Sequence, residues 1–430
     1  MFHPAHDTAR RGIAAPAVAI SLIVLVGVLA VAMDGGVLMS ERRRGQAAAD
    51  AAALAAASAL YKQDENRTDH KQDGKDTNGS ALASGRTTAA ANGYPYHGSQ
   101  TAVTIHTPPQ SGPFAGKAHY AEVLVTFNNK RGFSRIFGTD PVPTTARAVA
   151  RGMRIPYFNG GILVLNPTAS AALKVVGDGD LVVKSGAVIV DSSDDSAAFL
   201  AGNGSVLAAE VDITGSNPGY KTGGGGVIAT DPPGQVYTGK EPTPDPLADL
   251  PPPDPNTLSV QSGSTLNVNR STTLQPGRYY GGIKITGGRV TMQAGIYYMD
   301  HGGFSMTNGS LTGDGVMIYN DPTPNSSDKI ILTGGNWNLT APTSGTYVGI
   351  CLWQARGAQD VPIDITGQAS CNLLGAVYAP SSPVNVTGQG SLVLGSMFIS
   401  DTLKVAGSGG FTVDWKDHPP PGKRDIRLVE

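Results

Sequence analysis

The sequence predicts a mainly β protein with an N-terminal transmembrane helix, a small α+β module and a right-handed parallel β-helix (a β-solenoid). Three observations lead to this fold class. A long apolar run without charge lies near the N-terminus, and glycine and proline are abundant, at 56 and 30 of the 430 residues. Short turn motifs also recur near the C-terminus with a period of about 20 residues. Abundant turn residues are typical of a chain with many short strands.

Composition also excludes several classes of protein. The formal net charge is −2, whereas a dedicated nucleic-acid-binding protein needs a basic surface to neutralise phosphates. Two cysteines are too few for a disulfide-rich scaffold or a four-thiolate metal site. The apolar fraction of 40 % supplies a sizeable core. We therefore expect two or three domains and no nucleic-acid partner.

The apolar run covers residues 13–33 and contains no charged side chain. As a helix it would rise about 32 Å, enough to cross a hydrocarbon core of about 30 Å. The alternative is a cleaved signal peptide, because Ala30-Val31-Ala32 has the small-x-small form of a cleavage site. The run is longer than an ordinary signal core, so we favour an uncleaved anchor with residues 1–12 in the cytoplasm.

Basic residues flank the apolar run on both sides. Arg10 and Arg11 precede it and residues 42–44 are all arginine, so basic residues alone do not decide the orientation. An alanine-rich segment follows, and we predict a separate helix over residues 34–60, because alanine is the strongest helix former. This helix could also be a low-complexity spacer.

These features together resemble the N-terminal segment of TadG-like proteins, which belong to the tight-adherence (Flp) pilus-assembly family. The resemblance covers about residues 11–60: an apolar run that ends at Asp34, a basic cluster, and the segment QAAADAAALAAA. It implies a single-span protein of a bacterial cell membrane whose bulk is extracytoplasmic. It also implies membrane lipid and other pilus-assembly or envelope proteins as partners.

Residues 61–154 are predicted to form a small extracytoplasmic α+β module. Residues 62–76 are polar and indicate a loop. Phe133, Ile136 and Phe137 have the i, i+3, i+4 spacing of one apolar helical face, which would cover the sheet. The other predicted elements are a short helix that ends at Gly93 and strands over residues 101–106, 119–127 and 144–153.

The remaining chain consists of short apolar alternations separated by turns. The pairs Thr366-Gly367, Thr387-Gly388 and Ala406-Gly407 are separated by 21 and then 19 residues, which predicts stacked rungs of a solenoid. A β-sandwich is the alternative. We expect the residues before each pair, Ile365, Val386 and Val405, to stack inside. The predicted segments are a first solenoid part at 155–230, a Pro-rich insertion at 231–258, a second part at 259–416 and a C-terminal tail at 417–430.

Candidates for catalysis are few. The sequence has no G-x-S-x-G elbow, H-E-x-x-H zinc site or Walker phosphate loop, and the glycines at 223–226 are interpreted as a flexible loop. Asp300-His301 is the best acid–base pair, but adjacent strand residues point to opposite faces. A solenoid enzyme would also need partners one rung away, and the residues one repeat earlier are Tyr279-Tyr280.

Three further groups have alternative interpretations. Asp191, Asp194 and Asp195 could bind calcium through oxygen ligands or form a solvated rung corner, which we favour. His3 and His6 are interpreted as solvated rather than metal-binding. Cys351 and Cys371 are 20 residues apart, so they could form a disulfide between rungs or be two small buried residues.

Tyrosines occur in two adjacent pairs, Tyr279-Tyr280 and Tyr297-Tyr298. We expect one tyrosine of each pair inside the rung and the other outside. The outer side chains would pack from rung to rung, or would form a strip that binds sugar or protein.

Together with the predicted fold, the resemblance at residues 11–60 implies a membrane-anchored, non-enzymatic envelope protein that acts in Flp/Tad-type pilus assembly, anchoring or surface adhesion. No residue is assigned as catalytic, cofactor-binding or metal-binding. The alternative is a membrane-tethered carbohydrate-active enzyme or a carbohydrate-binding β-helix protein, with surface glycans as a further partner. A bare solenoid face would favour the structural role, a carboxylate cluster the enzyme, and an aromatic strip the binding protein.

Overall fold

The computed structural model describes residues 14–67, 73–96, 100–158, 161–184, 186–230, 236–324, 326–367, 371–388, 392–395, 397–414 and 420–430. These residues form two compact units. The N-terminal unit contains the helices and a small sheet, and the second unit is a solenoid. The predicted mainly β fold class is confirmed, since parallel rungs, not a β-sandwich, make up the large unit.

One continuous helix, α1 (Ala14–Glu65), contains both segments that the sequence predicts as separate helices. Gly35 and Gly36 do not interrupt it, because a glycine costs a helix only about 1 kcal/mol relative to alanine and good helix formers flank the pair. The helix also continues into the predicted loop 62–76, of which residues 73–76 have no regular structure.

The N-terminal unit packs alanines of α1 against a second helix and a four-stranded sheet. Small side chains let the backbones approach closely: a Cβ added to Gly152 would lie 1.9 Å from the carbonyl oxygen of Ala57. The elements are α2 (Ser80–Ala91), β1 (Thr101–His106), β2 (Tyr120–Asn129), β3 (Val142–Pro156) and the last strand of the chain, β33 (Gly422–Leu428). The sheet has the order β1-β2-β3-β33, with antiparallel β1–β2 and β2–β3 pairs.

The predicted apolar helical face is wrong at Phe133. A short 3₁₀ helix does form over Phe133–Phe137, but the side chain of Phe133 is 57 % exposed and does not cover the sheet. The side chains of Ile136 and Phe137 lie outside the described part of the chain. The residues assigned to a C-terminal tail supply β33, which lies beside β3.

The first solenoid part has ten strands. They are β4 (Ile162–Val164), β5 (Leu173–Gly177), β6 (Leu181–Val183), β7 (Ala187–Val190), β8 (Ala198–Gly202), β9 (Ser205–Ala208), β10 (Glu210–Ile213), β11 (Tyr220–Gly224), β12 (Val227–Thr230) and β13 (Val236–Thr238). Residues 239–259 then lead to the second part without a strand of their own.

The second solenoid part contains the remaining strands. They are β14 (Val260–Ser262), β15 (Leu266–Val268), β16 (Thr272–Leu274), β17 (Gly277–Tyr280), β18 (Ile283–Ile285), β19 (Arg289–Met292), β20 (Gly295–Asp300), β21 (Phe304–Met306), β22 (Ser310–Gly313), β23 (Val316–Asp321), β24 (Ile330–Leu332), β25 (Asn336–Thr340), β26 (Ile350–Gln354), β27 (Ile363–Gly367), β28 (Asn372–Leu374), β29 (Ala376–Gly388), β30 (Leu392–Gly395), β31 (Phe398–Gly407) and β32 (Phe411–Val413).

Each turn of the solenoid places strands on three faces, and every pairing is parallel. The first face contains β14, β17, β20, β23, β26, the N-terminal halves of β29 and β31, then β4, β7, β10 and β13. The third face is a ten-stranded sheet, β16-β19-β22-β25-β28-β30-β32-β6-β9-β12, with one strand from each turn. The described residues therefore form about ten turns.

The turns do not stack in the order of the sequence. The last turn of the second part, β31–β32, pairs with β4, β5 and β6, so Phe398 lies opposite Ile162. The first part therefore extends the stack beyond the C-terminal strands of the second. The chain returns from one end of the stack to the other through residues 239–259.

The predicted register of the last rungs is confirmed. Ile365 pairs with Val386, and Val386 pairs with Val405. All three side chains are at most 2 % exposed and belong to the continuous core of the solenoid.

Candidate functional site

The first candidate region is the N-terminal half of α1. Among the described residues, this helix alone is long and apolar enough to be a candidate membrane span. Most of its large apolar side chains from Val18 to Met39 are more than half exposed, whereas the alanines from Ala48 onward are buried in the core of the N-terminal unit. The helix thus has one half with a mostly exposed apolar surface and one half fixed in a fold, as an anchor requires.

The second candidate region is the outer row of the first face. Tyr298, Tyr319, Trp353 and Tyr378 lie opposite one another in successive turns. Their ring centroids are 4.9, 5.4 and 5.3 Å apart along the row. Such pairs add favourable edge-to-face contacts to the area they bury. The row continues with apolar side chains at Ile399, Leu163 and Ile189.

The connection at 239–259, which we call the strap, covers this row. Leu247 is 1 % exposed and packs in the same apolar cluster as the aromatic side chains, with Leu250 and Leu258 at its margin. The four aromatic members of the row are therefore at most 5 % exposed, although they point away from the solenoid core. The prediction that outer tyrosines pack from rung to rung is therefore confirmed at Tyr298, and the strap covers the aromatic row.

Polar contacts fix the strap in place. Arg356 donates hydrogen bonds to the carbonyl oxygens of Leu247 (2.5 Å) and Leu250 (2.9 Å) and to the hydroxyl of Tyr378 (2.9 Å). The Tyr378 hydroxyl in turn donates to Asp245 (2.6 Å). Burial raises the pKa of Tyr378, so the hydroxyl keeps its proton and remains a donor.

The two tyrosine pairs divide between inside and outside as predicted. Tyr279 and Tyr297 stack inside the solenoid with centroids 6.0 Å apart, and burial raises the pKa of Tyr279 to about 12. Tyr298 points outward under the strap. Tyr280 is partly exposed and lies against the guanidinium of Arg278, 4.5 Å from the ring centroid.

The third candidate region is the outer surface of the third face. Thr273, Thr291, Thr312, Asn338 and Asn372 lie opposite one another in five successive turns. All five side chains remain partly or fully exposed. A cleft of about 660 Å³ opens over the last four of them, and none of its lining side chains is aromatic or basic. We call these five residues the polar row.

Sequence analysis did not identify the polar row. Its members are separated by unequal numbers of residues, because loops of different length interrupt the turns. The only available signal was a Thr or Asn that follows an apolar residue in each third-face segment, as in VTM, LTG and WNL.

The structure places two side chains beside the Asp300 carboxylate. Arg278 donates two hydrogen bonds to one carboxylate oxygen of Asp300, at 2.7 and 2.5 Å, and forms a partly buried ion pair with it. The His301 ring is 3.5 Å from the other carboxylate oxygen and 3.2 Å from the Thr323 hydroxyl, and it is mostly exposed. This arrangement stabilises a turn between β20 and β21.

The three aspartates of the candidate calcium site serve different purposes. Asp191 is buried and accepts a hydrogen bond from the strap, from the amide of Thr243 (2.9 Å). Asp194 accepts from the amide and hydroxyl of Ser196 and so closes a turn, and Asp195 is exposed. Among the described residues, no three His, Cys, Asp or Glu side chains form a possible metal site.

The flexible-loop interpretation of the glycines at 223–226 is wrong for the first two, which lie within β11, and the other two form the turn that leads to β12. Cys351 and Cys371 are both buried and both free, so the alternative of a disulfide between them is wrong. Burial raises the pKa of Cys351 to about 12, which leaves its thiol protonated and unreactive. His3 and His6 lie outside the described residues.

The comparisons with known proteins concern α1. Residues 12–59 match the Tad family model, whose description is "Putative Flp pilus-assembly TadE/G-like". The N-terminal segment is TadE/G-like. This match confirms the resemblance inferred from the sequence, and it covers both the exposed apolar half of α1 and the alanine-rich half. No curated protein and no solved structure matches the chain.

Proposed function

We propose that this protein is a membrane-anchored, non-enzymatic envelope protein that acts in the assembly or anchoring of a Flp/Tad-type pilus, or in surface adhesion. One observation carries the proposal: the TadE/G-like match coincides with α1. The exposed apolar half of this helix suits a bilayer, and its buried half holds a folded module at the end of the anchor.

The proposal places the solenoid outside the cytoplasm, as the family resemblance implies. Protease added to intact cells or spheroplasts should digest the chain after Asp34. Protease added to inverted membrane vesicles, where it reaches only the cytoplasmic side, should leave this part of the chain intact. A mature chain that begins near Met33 would contradict the anchor and favour secretion.

The contacts around Asp300 support a non-enzymatic role. One oxygen of its carboxylate accepts both hydrogen bonds from Arg278, which gives the carboxylate a structural role between neighbouring turns. Deletion of the gene in its own bacterium should reduce piliation or surface attachment. The wild-type chain should restore it, and so should a chain with both Asp300→Ala and His301→Ala. Unchanged piliation and attachment in the deletion strain would refute the proposed role, and failure of the double variant alone would favour an enzyme.

Carbohydrate binding is a second candidate function, and the polar row favours it. Threonine hydroxyls and asparagine amides both donate and accept hydrogen bonds, as neutral sugars do. They repeat every turn, about 4.8 Å apart, so an extended glycan could lie along the cleft. The buried aromatic row gives no support to this function, because the strap covers it.

Binding of surface polysaccharides to the detergent-solubilised full chain tests this second function. Thr312→Ala combined with Asn338→Ala should abolish binding, whereas Thr387→Ala, at an exposed position outside the cleft, should leave it unchanged. Equal binding by both variants would exclude the polar row as the glycan site.

A further inference from the structure

A loop of the N-terminal unit lies beside the end of the apolar run of α1. This loop connects β2 to β3, and Asp34 of α1 accepts hydrogen bonds from its backbone amides at Phe133 (3.1 Å) and Ser134 (2.7 Å). The approach is so close that a Cβ added to Gly132 would lie 2.7 Å from an Asp34 oxygen. Since residues 13–33 are the predicted span, the loop lies at the level where α1 would leave the bilayer.

The loop and a later part of α1 carry an excess of positive charge. Lys130 and Arg135 are exposed and Arg131 is partly exposed. The three consecutive arginines at 42–44, about two to three helical turns beyond Asp34, are exposed as well. A crevice of about 100 Å³, lined in part by Lys130 and Arg131, separates the loop from α1.

Three acidic side chains accompany these six basic ones. Hydrogen bonds from the side chain and backbone of Ser134 lower the pKa of Asp34, whose carboxylate the loop already occupies. Glu41 forms an ion pair with Arg44 at 3.4 Å, and Asp140 is exposed. The positive charge therefore exceeds the negative charge at this level of the helix.

The same loop exposes a large apolar side chain. Phe133 is 57 % exposed, and it belongs to none of the buried clusters of the N-terminal unit. Aromatic side chains are enriched where a protein meets the membrane–water interface, and basic side chains near an anionic surface are attracted to it. Positive charge and apolar exposure thus coincide in the loop beside Asp34, and residues 42–44 add positive charge about 12–15 Å further along α1.

We propose that residues 42–44 together with Lys130, Arg131, Phe133 and Arg135 form a membrane-binding patch for anionic phospholipid. The basic side chains bind the headgroups, and the Phe133 ring inserts at the interface. This inference rests on the proposed membrane anchor and extends it. The N-terminal unit binds the bilayer surface directly, in addition to its attachment through α1.

The test uses the full chain reconstituted in vesicles. An environment-sensitive fluorophore on Phe133→Cys reports the polarity around the loop, because native Cys351 and Cys371 are buried and unreactive in the folded protein. The same probe on Thr387→Cys, an exposed solenoid position, is the control. We expect a blue shift at position 133 when phosphatidylglycerol is added to phosphatidylcholine vesicles, reversed by high salt, and no shift at position 387.

Charge variants sharpen the result. Replacing Lys130, Arg131 and Arg135 with Gln should abolish the lipid-dependent shift, and replacing Lys130 with Arg should preserve it. The matched control replaces three exposed basic residues of the solenoid with Gln and should have no effect; these are Lys284, Arg289 and Lys404.

Two negative results are distinguishable. Identical emission at position 133 in neutral and anionic vesicles would overturn the membrane-binding patch and leave the anchor intact. Failure of the wild-type chain to float with vesicles in high salt would instead overturn the anchor, and the patch with it.

Discussion

The first and third faces of the solenoid are built from the same turns, but their outer surfaces differ in polarity and in exposure to solvent. On the first face, four aromatic side chains from Tyr298 to Tyr378 lie in a row and are buried under the strap. On the third face, Thr291, Asn338 and their neighbours form the polar row, which stays open. The type of outward side chain that each turn contributes therefore decides whether another segment of the chain must cover the face.

Substitutions in the solenoid interior should reduce the stability of the protein most. They provide the reference against which substitutions in the two outer rows are compared. Val386→Asp places a carboxylate in the apolar core, with Ile365 and Val405 above and below it. We expect the free energy of unfolding to fall by several kcal/mol, about 3 or more, because the buried charge has no partner. Thr387→Asp, one residue further and exposed, should change it little. Equal values in chemical denaturation would show that the assigned inward register is wrong.

Because the aromatic row is covered and the polar row is open, substitutions in the two rows should differ in their effect on stability. Trp353→Ala removes the centre of the covered aromatic row and should cost about 3–5 kcal/mol, as for other buried large-to-small substitutions. Asn338→Ala, in the polar row, should cost less than about 0.5 kcal/mol. Thermal and denaturant unfolding of the two variants would measure the difference. A similar small cost for both would mean that the strap leaves the aromatic row accessible to solvent.

Removal of the strap's main donor should have an intermediate effect. Arg356→Met leaves the carbonyl oxygens of Leu247 and Leu250 without the donor that binds both, which should cost about 1–3 kcal/mol. The strap should also become more sensitive to limited proteolysis. Arg289→Met, at an exposed position of the third face, is the control. Unchanged cleavage of the strap in the Arg356 variant would show that apolar contacts alone hold it.

The smallest effect concerns Asp191, which anchors the start of the strap. Burial raises the pKa of this carboxyl above its ordinary value, and the hydrogen bond from Thr243 only partly opposes the shift. The folded protein therefore retains the proton more strongly than the unfolded chain, and stability decreases as pH rises between the unfolded and folded pKa values.

Asp191→Asn removes this penalty and should raise the melting temperature slightly at neutral pH, with a smaller gain at acidic pH. Asp195→Asn, at an exposed residue of the same turn, should not change the pH dependence. A lower melting temperature of the Asp191 variant at neutral pH would show that the charge of the carboxylate strengthens the bond to the strap.

The repeated turn pairs and the apolar run of the sequence predict the rungs and the anchor, but they do not predict that the strap covers the aromatic row. Val386 could be placed correctly because its turn pair repeats nearby in the chain, and the apolar anchor could be read from an uninterrupted run. The exposure of Tyr298 could not be predicted, because its cover includes Leu247, which lies in a Pro-rich segment without a period. Phe133 has the spacing of a covering helix, but it lies in one short turn of 3₁₀ helix that leaves the ring exposed.

The order of the turns has a consequence for how the solenoid is completed during synthesis. The strand β4 emerges early, yet its partner on one side, β31, emerges after more than half of the chain has followed. Until then, the first part has an open row of backbone donors and acceptors along β4, β5 and β6, which is a surface prone to wrong pairing. Contacts between such distant residues also form slowly. The solenoid is therefore complete only after the last rung, β31–β32, has been synthesised. A chain truncated before β31 should aggregate rather than fold partially.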